Sequence, residues 1–229
     1  MALILYDLCG ADADVRFSPF CWRVKFALVH KGLDFETVPL KFTEKDNYPD
    51  PAYGRLPVLR DGDALIKDSW VILNYLEQTY PERPLAQTPA EWGAARLARA
   101  WGDHELIMSM RSLVVAHVHS AVAPEDKDYF RETREKHFGR SLESLLEDAD
   151  ATCELVGKKL AVLDAALEDE CFIGGHEPGL SDYIIFSGFM WARSASSEDL
   201  FTAPPRVQGW IERMLAAHDG YAARAARPG

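Results

Sequence analysis

Cysteine is scarce in this chain, long apolar runs are missing, and positive charge is in short supply. The four cysteines, Cys9, Cys21, Cys153 and Cys171, are too few and too scattered among 229 residues for a disulfide framework or a zinc site. A reducing cytoplasm and no bound metal are therefore expected. No uninterrupted apolar stretch approaches the roughly 18 residues of a membrane span, and Asp7 breaks the run Ala2 to Leu8 with no basic segment before it. Neither a membrane helix nor a signal peptide is expected. With 25 Lys+Arg against 36 Asp+Glu the net charge is −11, divided as −3 over residues 1–80 and −8 over the remainder. Neither part carries a basic field that would attract phosphate backbones, so nucleic acid is not an expected partner. What remains is a composition 48% apolar and 27% charged, that of a globular protein with enough core for one large or two modest domains.

The most informative stretch is Phe17 to Gly32, FSPFCWRVKFALVHKG. Ser18 is a favoured N-cap, Pro19 suits the first helical position, and Gly32 can close the far end. Phe20, Val24, Ala27 and Leu28 recur at helical spacing, while His30 and Lys31 sit at the negative end of the helix dipole. A hydroxyl beside the free amides of a first turn makes a small anion site for a carboxylate, a phosphate or a thiolate. Lowering a cysteinyl thiol pKa from about 8.5 by two units takes about 2.7 kcal/mol. One charge-assisted hydrogen bond of about 1.5–3 kcal/mol nearly supplies that. Serine caps are common, so this stretch alone leaves both roles open, a cap only or a cap that also holds a ligand's thiolate.

Around this helix the chain reads as strand (Leu3 to Leu8), helix, strand (Phe35 to Leu40), with the span of a right-handed parallel crossover. A polar loop from Lys41 to Tyr53 follows. Gly54-Arg55-Leu56-Pro57-Val58-Leu59 and Ala64-Leu65-Ile66 then flank an Asp-Gly turn, a hairpin signal. Pro57 stands where a strand begins, as a trans edge proline or a cis one. Asp68 or Ser69 can cap the next helix, Ser69 to about Tyr80. Such a helix start, with a carboxylate and a hydroxyl, suits a ligand bearing both an amine and a carboxylate.

These features, with Gly179-Leu180-Ser181-Asp182 in a helical second part, resemble a glutathione transferase along the whole chain. The resemblance implies an α/β plus all-α architecture. Residues 1–80 would form a thioredoxin-like domain with a mixed four-stranded sheet, 81–89 a linker, and 90–229 a helical-bundle domain that binds the acceptor. It implies glutathione as cosubstrate, with Ser18 hydrogen-bonding the sulfur and Leu56 pairing through its backbone beside a cis Pro57. Asp68 and Ser69 would hold the γ-glutamyl end, and Lys41 and Arg55 the glycyl carboxylate. Tyr6 is a rival sulfur donor, ranked below Ser18 because Ser18 to Arg23 has the Ser-Pro-aromatic-x-x-Arg pattern of serine classes. Cys21 is expected to be a packed helix residue. A homodimer is implied too.

In the second part, Trp92 to Val122 reads as one long helix. By the same resemblance Tyr6, Trp101, His104, Met108 and Arg111 would line the acceptor pocket. The run from Glu125 to Asp150 is so charged that it reads as an irregular insertion or a solvated helix, and Cys153 to Leu167 resumes helical spacing. Gly179 stands where most transferases have Ser or Thr as the cap of a central helix, at a cost of a few tenths of a kcal/mol, with Asp182 completing a capping box. Within the superfamily, SPFCWRVKFAL, DSWVILNYLE and the charged PEDKDYFRETREKHF are most similar to bacterial glutathione-dependent β-etherases of lignin breakdown and their fungal relatives. That similarity implies attack of a glutathione thiolate on a carbon bearing an aryloxy group beside a ketone. The alternatives are general conjugation to a hydrophobic or aromatic electrophile, isomerisation of a small diacid, and a non-catalytic ligand-binding role.

Overall fold

The computed structural model describes residues 2–229. Its first part is β1 (Leu3–Leu8), α1 (Pro19–Lys31), β2 (Phe35–Leu40), β3 (Val58–Asp61), β4 (Ala64–Lys67) and α2 (Ser69–Thr79). The sheet order is β2-β1-β3-β4. β1 and β2 run parallel from Leu3 opposite Phe35 to Leu8 opposite Leu40, whereas β3 is antiparallel to both β1 and β4. This is a thioredoxin-like mixed sheet. The hairpin turns at Gly62, whose φ of 57° lies in the left-handed region glycine adopts without penalty.

The second part is all helical: α3 (Pro89–Trp101), α4 (Ile107–Ala121), α5 (Lys127–Phe138), α6 (Leu142–Glu147), α7 (Ala149–Ala166), α8 (Leu180–Ala195) and α9 (Pro205–Gly220). The expected long helix from Trp92 to Val122 is continuous in direction but changes pitch. Gly102–Leu106 forms a wider π turn in which the Ile107 amide donates to the Gly102 carbonyl. The charged run is two helices, α5 and α6, and each buries an apolar flank through Phe130, Leu142 or Leu145. Among the described residues no helix is long and apolar enough to cross a membrane.

A single core joins the two parts. α1 lies between the sheet and α8, and Phe26 meets Tyr183 and Phe186 with ring centroids 5.6 Å apart in each pair. The start of α8 is fixed by Asp182, which is fully buried. Its carboxylate accepts from Gly179 N at 3.1 Å, Ile173 N at 2.8 Å and Trp210 Nε1 at 2.8 Å. Glycine at the cap is thus offset by a carboxylate that satisfies three donors from three segments.

The far end of α1 is tied to the C-terminus through Tyr183. Its hydroxyl lies 2.7 Å from His30 Nδ1 and 3.0 Å from His218 Nε2, while His30 Nε2 lies 3.1 Å from the Pro84 carbonyl. His218 and Asp219 break α9 with φ of 52° and 55°. Burial pulls both imidazole pKa values down. Each histidine is therefore neutral when folded and protonates more readily when unfolded, so the stability it contributes is complete above about pH 6.5 and lost as pH falls toward the lowered folded values. The melting temperature is expected to hold above that pH and to drop below it, with a His218→Gln variant flattening the drop; calorimetry across pH 5 to 8 checks this.

Candidate active site

The N-terminus of α1 opens into a cavity of about 600 Å³ between the two parts. β1 contributes Leu8, and the start of α1 contributes Ser18, Pro19 and Phe20. The loop after β2 contributes Phe42, Lys45 and Tyr48, and the segment before β3 contributes Gly54, Arg55 and Leu56. The opposite wall is Asp103, Ile107, Met108, Arg111, Val115 and Val118, recurring at three- and four-residue spacing on one helix face, with Tyr129, Phe130 and Arg134 from α5 and Trp191 from α8.

Ser18 is 5% exposed and holds extended backbone angles before the helix begins. Its Oγ accepts from Cys21 N at 3.3 Å, and its carbonyl accepts from Trp22 N at 3.1 Å. Pro19 has no amide. A capping hydroxyl accepts through a lone pair and still has its own proton to donate, so capping and holding an anion do not compete. The two roles left open by the sequence are compatible in one rotamer.

The cysteines take no part at this cavity. Cys21 is fully buried and absent from the cavity wall, and burial pushes its thiol well up, with the Asp7 carboxylate adding to the effect. Burial pushes Cys9 up to about 11. Neither ionises near neutrality, which leaves Ser18 as the polar group at this helix start.

The other expected site residues divide. Arg55, Leu56, Met108 and Arg111 line the cavity with Ser18. The Leu56–Pro57 peptide is cis. Pro57, Asp68 and Ser69 lie beyond the cavity wall, at β3 and at the start of α2. Asp68 is exposed and caps α2: its Oδ1 accepts from Trp70 N at 2.8 Å and Val71 N at 3.3 Å, while Ser69 is buried. The φ of 75° and ψ of 132° at Asp68 fall in a region costing about 1–3 kcal/mol for an L residue, the kind of conformation that clusters at ligand sites. Lys41 points away and pairs with Glu125 at 2.6 Å.

Three expected pocket residues do not line the cavity. Tyr6 shares a strand face with Leu8 but lies two residues back from the end of β1, buried with Leu40, Tyr48 and Val58, so that Leu8 reaches the cavity and Tyr6 does not. Trp101 packs half-buried against the core, and His104 is exposed. The face that carries Asp103, Ile107 and Arg111 turns both away.

Lys45, Tyr129, Arg134 and Trp191 are cavity residues that sequence reasoning missed. Lys45 Nζ donates to the Gly54 carbonyl at 2.8 Å and stands 4.3 Å from the Tyr48 ring. Arg134 lies in the charged run and only the placement of α5 turns it inward. Among the described residues no group of three or more His, Cys, Asp or Glu is placed to hold a metal ion.

Comparison with known proteins matches the N-terminal domain of glutathione S-transferase over residues 13–84 and its C-terminal domain over residues 95–224. A glutathione S-transferase of Hyoscyamus muticus is 27% identical over 208 residues, 87% of this chain and 90% of the relative. A zeta-class glutathione S-transferase of Euphorbia esula is 32% identical over 117 residues, 48% of this chain and 52% of the relative. Glutathione S-transferase Z1 of Arabidopsis thaliana is 41% identical over 68 residues, 28% of this chain. The match to these last two thus spans about half and about a third of their lengths, 52% and 31%. Among solved structures, a glutathione S-transferase of Ceriporiopsis subvermispora in complex with glutathione superposes with a TM-score of 0.80 at 20% identity, covering 96% of this chain and 99% of that one. At that identity the likeness is one of fold.

The wall formed by Phe42 depends on a buried contact between the two parts. Asp126 is fully buried and accepts from Phe42 N and Thr43 N at 2.9 Å each and from Thr43 Oγ1 at 2.6 Å. Asp126→Ala is expected to cost about 3 kcal/mol in urea denaturation, by removing an ionised acceptor from buried amides. Asp126→Asn should recover part of the loss.

Proposed function

Because this chain belongs to the glutathione S-transferase family, we propose that it activates the glutathione thiol at Ser18 for attack on an electrophile bound in the adjoining cavity. The observation that carries this reading is the placement of Ser18. Its hydroxyl caps a helix, keeps a proton to donate, and stands at the cavity wall where no cysteine competes. Lys45 and Arg55 supply positive charge for the glycyl carboxylate from the loop side of the cavity, in place of Lys41, which is engaged by Glu125. Leu56 offers its backbone to the cysteinyl part. Asp68 uses Oδ1 on its own helix and has Oδ2 for the γ-glutamyl amine, with the Ser69 end of α2 for the carboxylate.

The acceptor side is predominantly apolar and aromatic: Phe20, Phe42, Ile107, Met108, Phe130 and Trp191. It suits an aromatic electrophile, and α-keto aryl ethers are the substrate class we favour. In that reaction the thiol proton leaves to solvent and the thiolate forms a carbon–sulfur bond at the carbon bearing the aryloxy group. The carbon–oxygen bond breaks, the aryl oxide departs with the electron pair, and it takes a proton from water. The hydrogen bond from Ser18 keeps the thiolate ionised before attack and releases it as the thioether forms. Residues 1–80 and 90–229 then act as a glutathione-binding and an acceptor-binding domain joined by 81–89, in a cytoplasmic homodimer.

Ser18→Ala is expected to return the pKa of bound glutathione from near neutrality toward about 8.5, and to lower kcat/KM at pH 6.5 by about tenfold for each unit of that rise. The ultraviolet absorbance of the thiolate titrated with pH, together with turnover of a halo-nitroaromatic and an α-keto aryl ether, checks both. An unmoved titration curve would remove Ser18 from the chemistry.

A further inference from the structure

The cavity carries a charge imbalance that thiolate activation does not use. In a chain of net charge −11, its wall holds four cations, Lys45, Arg55, Arg111 and Arg134, against one carboxylate, Asp103. That carboxylate is already engaged by Arg23 and Arg99. Arg111 stands on α4, and Arg134 on α5 leans over Phe42 of the loop that carries Lys45. Burial pulls both down from the usual guanidinium value; for Arg134 the Tyr129 hydroxyl offsets part of this, and no carboxylate acts on either.

Each guanidinium rests on aromatic faces instead. Arg111 lies 4.6 Å from the Phe138 ring centroid, and Arg134 lies 4.5 Å from that of Phe130 and 5.0 Å from that of Phe42. Such stacking is worth about 0.5–2 kcal/mol and engages the plane of the fork, leaving its edge donors. Arg134 spends one of these on Thr133 Oγ1 at 2.8 Å. A partly desolvated cation without a counter-charge is costly, and a stacked arginine is held flat in the pose that receives a carboxylate with two parallel hydrogen bonds.

We propose that the acceptor carries an acid group, a carboxylate or an equivalent oxyanion, on its aromatic body, and that Arg111 together with Arg134 seats it. The proposal rests on the transferase reading above, in which Lys45 and Arg55 serve glutathione. Ile107, Met108 and Trp191 would pack the apolar portion while the acid end fixes which carbon faces Ser18. Arg111 and Arg134 then set specificity.

The test uses two α-keto aryl ethers identical except that one bears a ring carboxylate and the other a carboxamide. Dissociation constants are measured calorimetrically with S-methylglutathione present, and KM values with glutathione. The wild-type protein is expected to prefer the acid by tenfold or more, with a preference that shrinks as salt rises. Arg111→Gln and Arg134→Gln should each reduce it to about threefold or less, and Arg111→Lys should restore part of it. Equal affinity for acid and amide in the wild-type protein overturns the proposal without recourse to any variant. So does a pair of glutamine variants that raise the KM for glutathione while keeping the acid preference, since the arginines would then serve the cosubstrate. If the wild-type protein turned over neither compound, the aryl-ether part of the reading above would fail, while the calorimetric preference would still decide whether an acid is recognised.

Discussion

Helix α1 is buried on both sides, and that single constraint shapes the site. It presses one flank on the sheet and the other on α8, so three cations in its interior have no route to water: Arg23, Lys25 and Lys31. Each is met by a carboxylate from a different element. Lys25 reaches Asp7 on β1 at 2.9 Å, Lys31 reaches Glu77 on α2 at 2.8 Å, and Arg23 reaches Asp103 in the π turn while donating to Ser187 Oγ at 3.0 Å. Removing one partner of such a pair costs about 3–5 kcal/mol because the remaining charge is stranded. The helix is thereby fixed in rotation and height against three neighbours, and Ser18 at its start is held where the cavity begins.

The same geometry links packing to chemistry. Asp103 lines the helical wall of the cavity and also holds Arg23 on the helix that carries Ser18. The Ser18 end of α1 and the cavity-lining face of α4 are therefore positioned by one contact. Asp126 does the corresponding work on the opposite side, fastening the Phe42–Thr43 turn to the start of α5. Of these pairs only Arg23–Asp103 and the Asp126 acceptors cross between the two parts, and both border the cavity. The surface pairs, such as Lys158 with Glu154, are exposed and contribute little to this registration.

Sequence reasoning located local features well and long-range ones poorly. Cap, proline and terminal glycine bounded α1 within a residue, and the Asp-Gly turn placed the hairpin. Asp182 was legible as a cap partner from its spacing to Gly179, though not its bonds to Ile173 and Trp210, which arrive from distant segments. The helical periodicity from Trp92 to Val122 was visible. The π turn within it was not, and the facing of Trp101 and His104 was misjudged with it. Arg134 lay in a run whose charge reads as solvated, and α9 went unread.

The sequence by itself determined the element order of the first part, the hydroxyl-capped helix start and the family resemblance, because capping, turn chemistry and apolar periodicity act over a few residues and leave local traces. Which side chains share the cavity was decided only by the tertiary structure. How far along a strand the cavity reaches, a helix's rotation and the meeting of Arg23 with Asp103 depend on how elements pack, and no local pattern encodes that. Leu8 rather than Tyr6 reaches the cavity, and Lys45 rather than Lys41, for that reason.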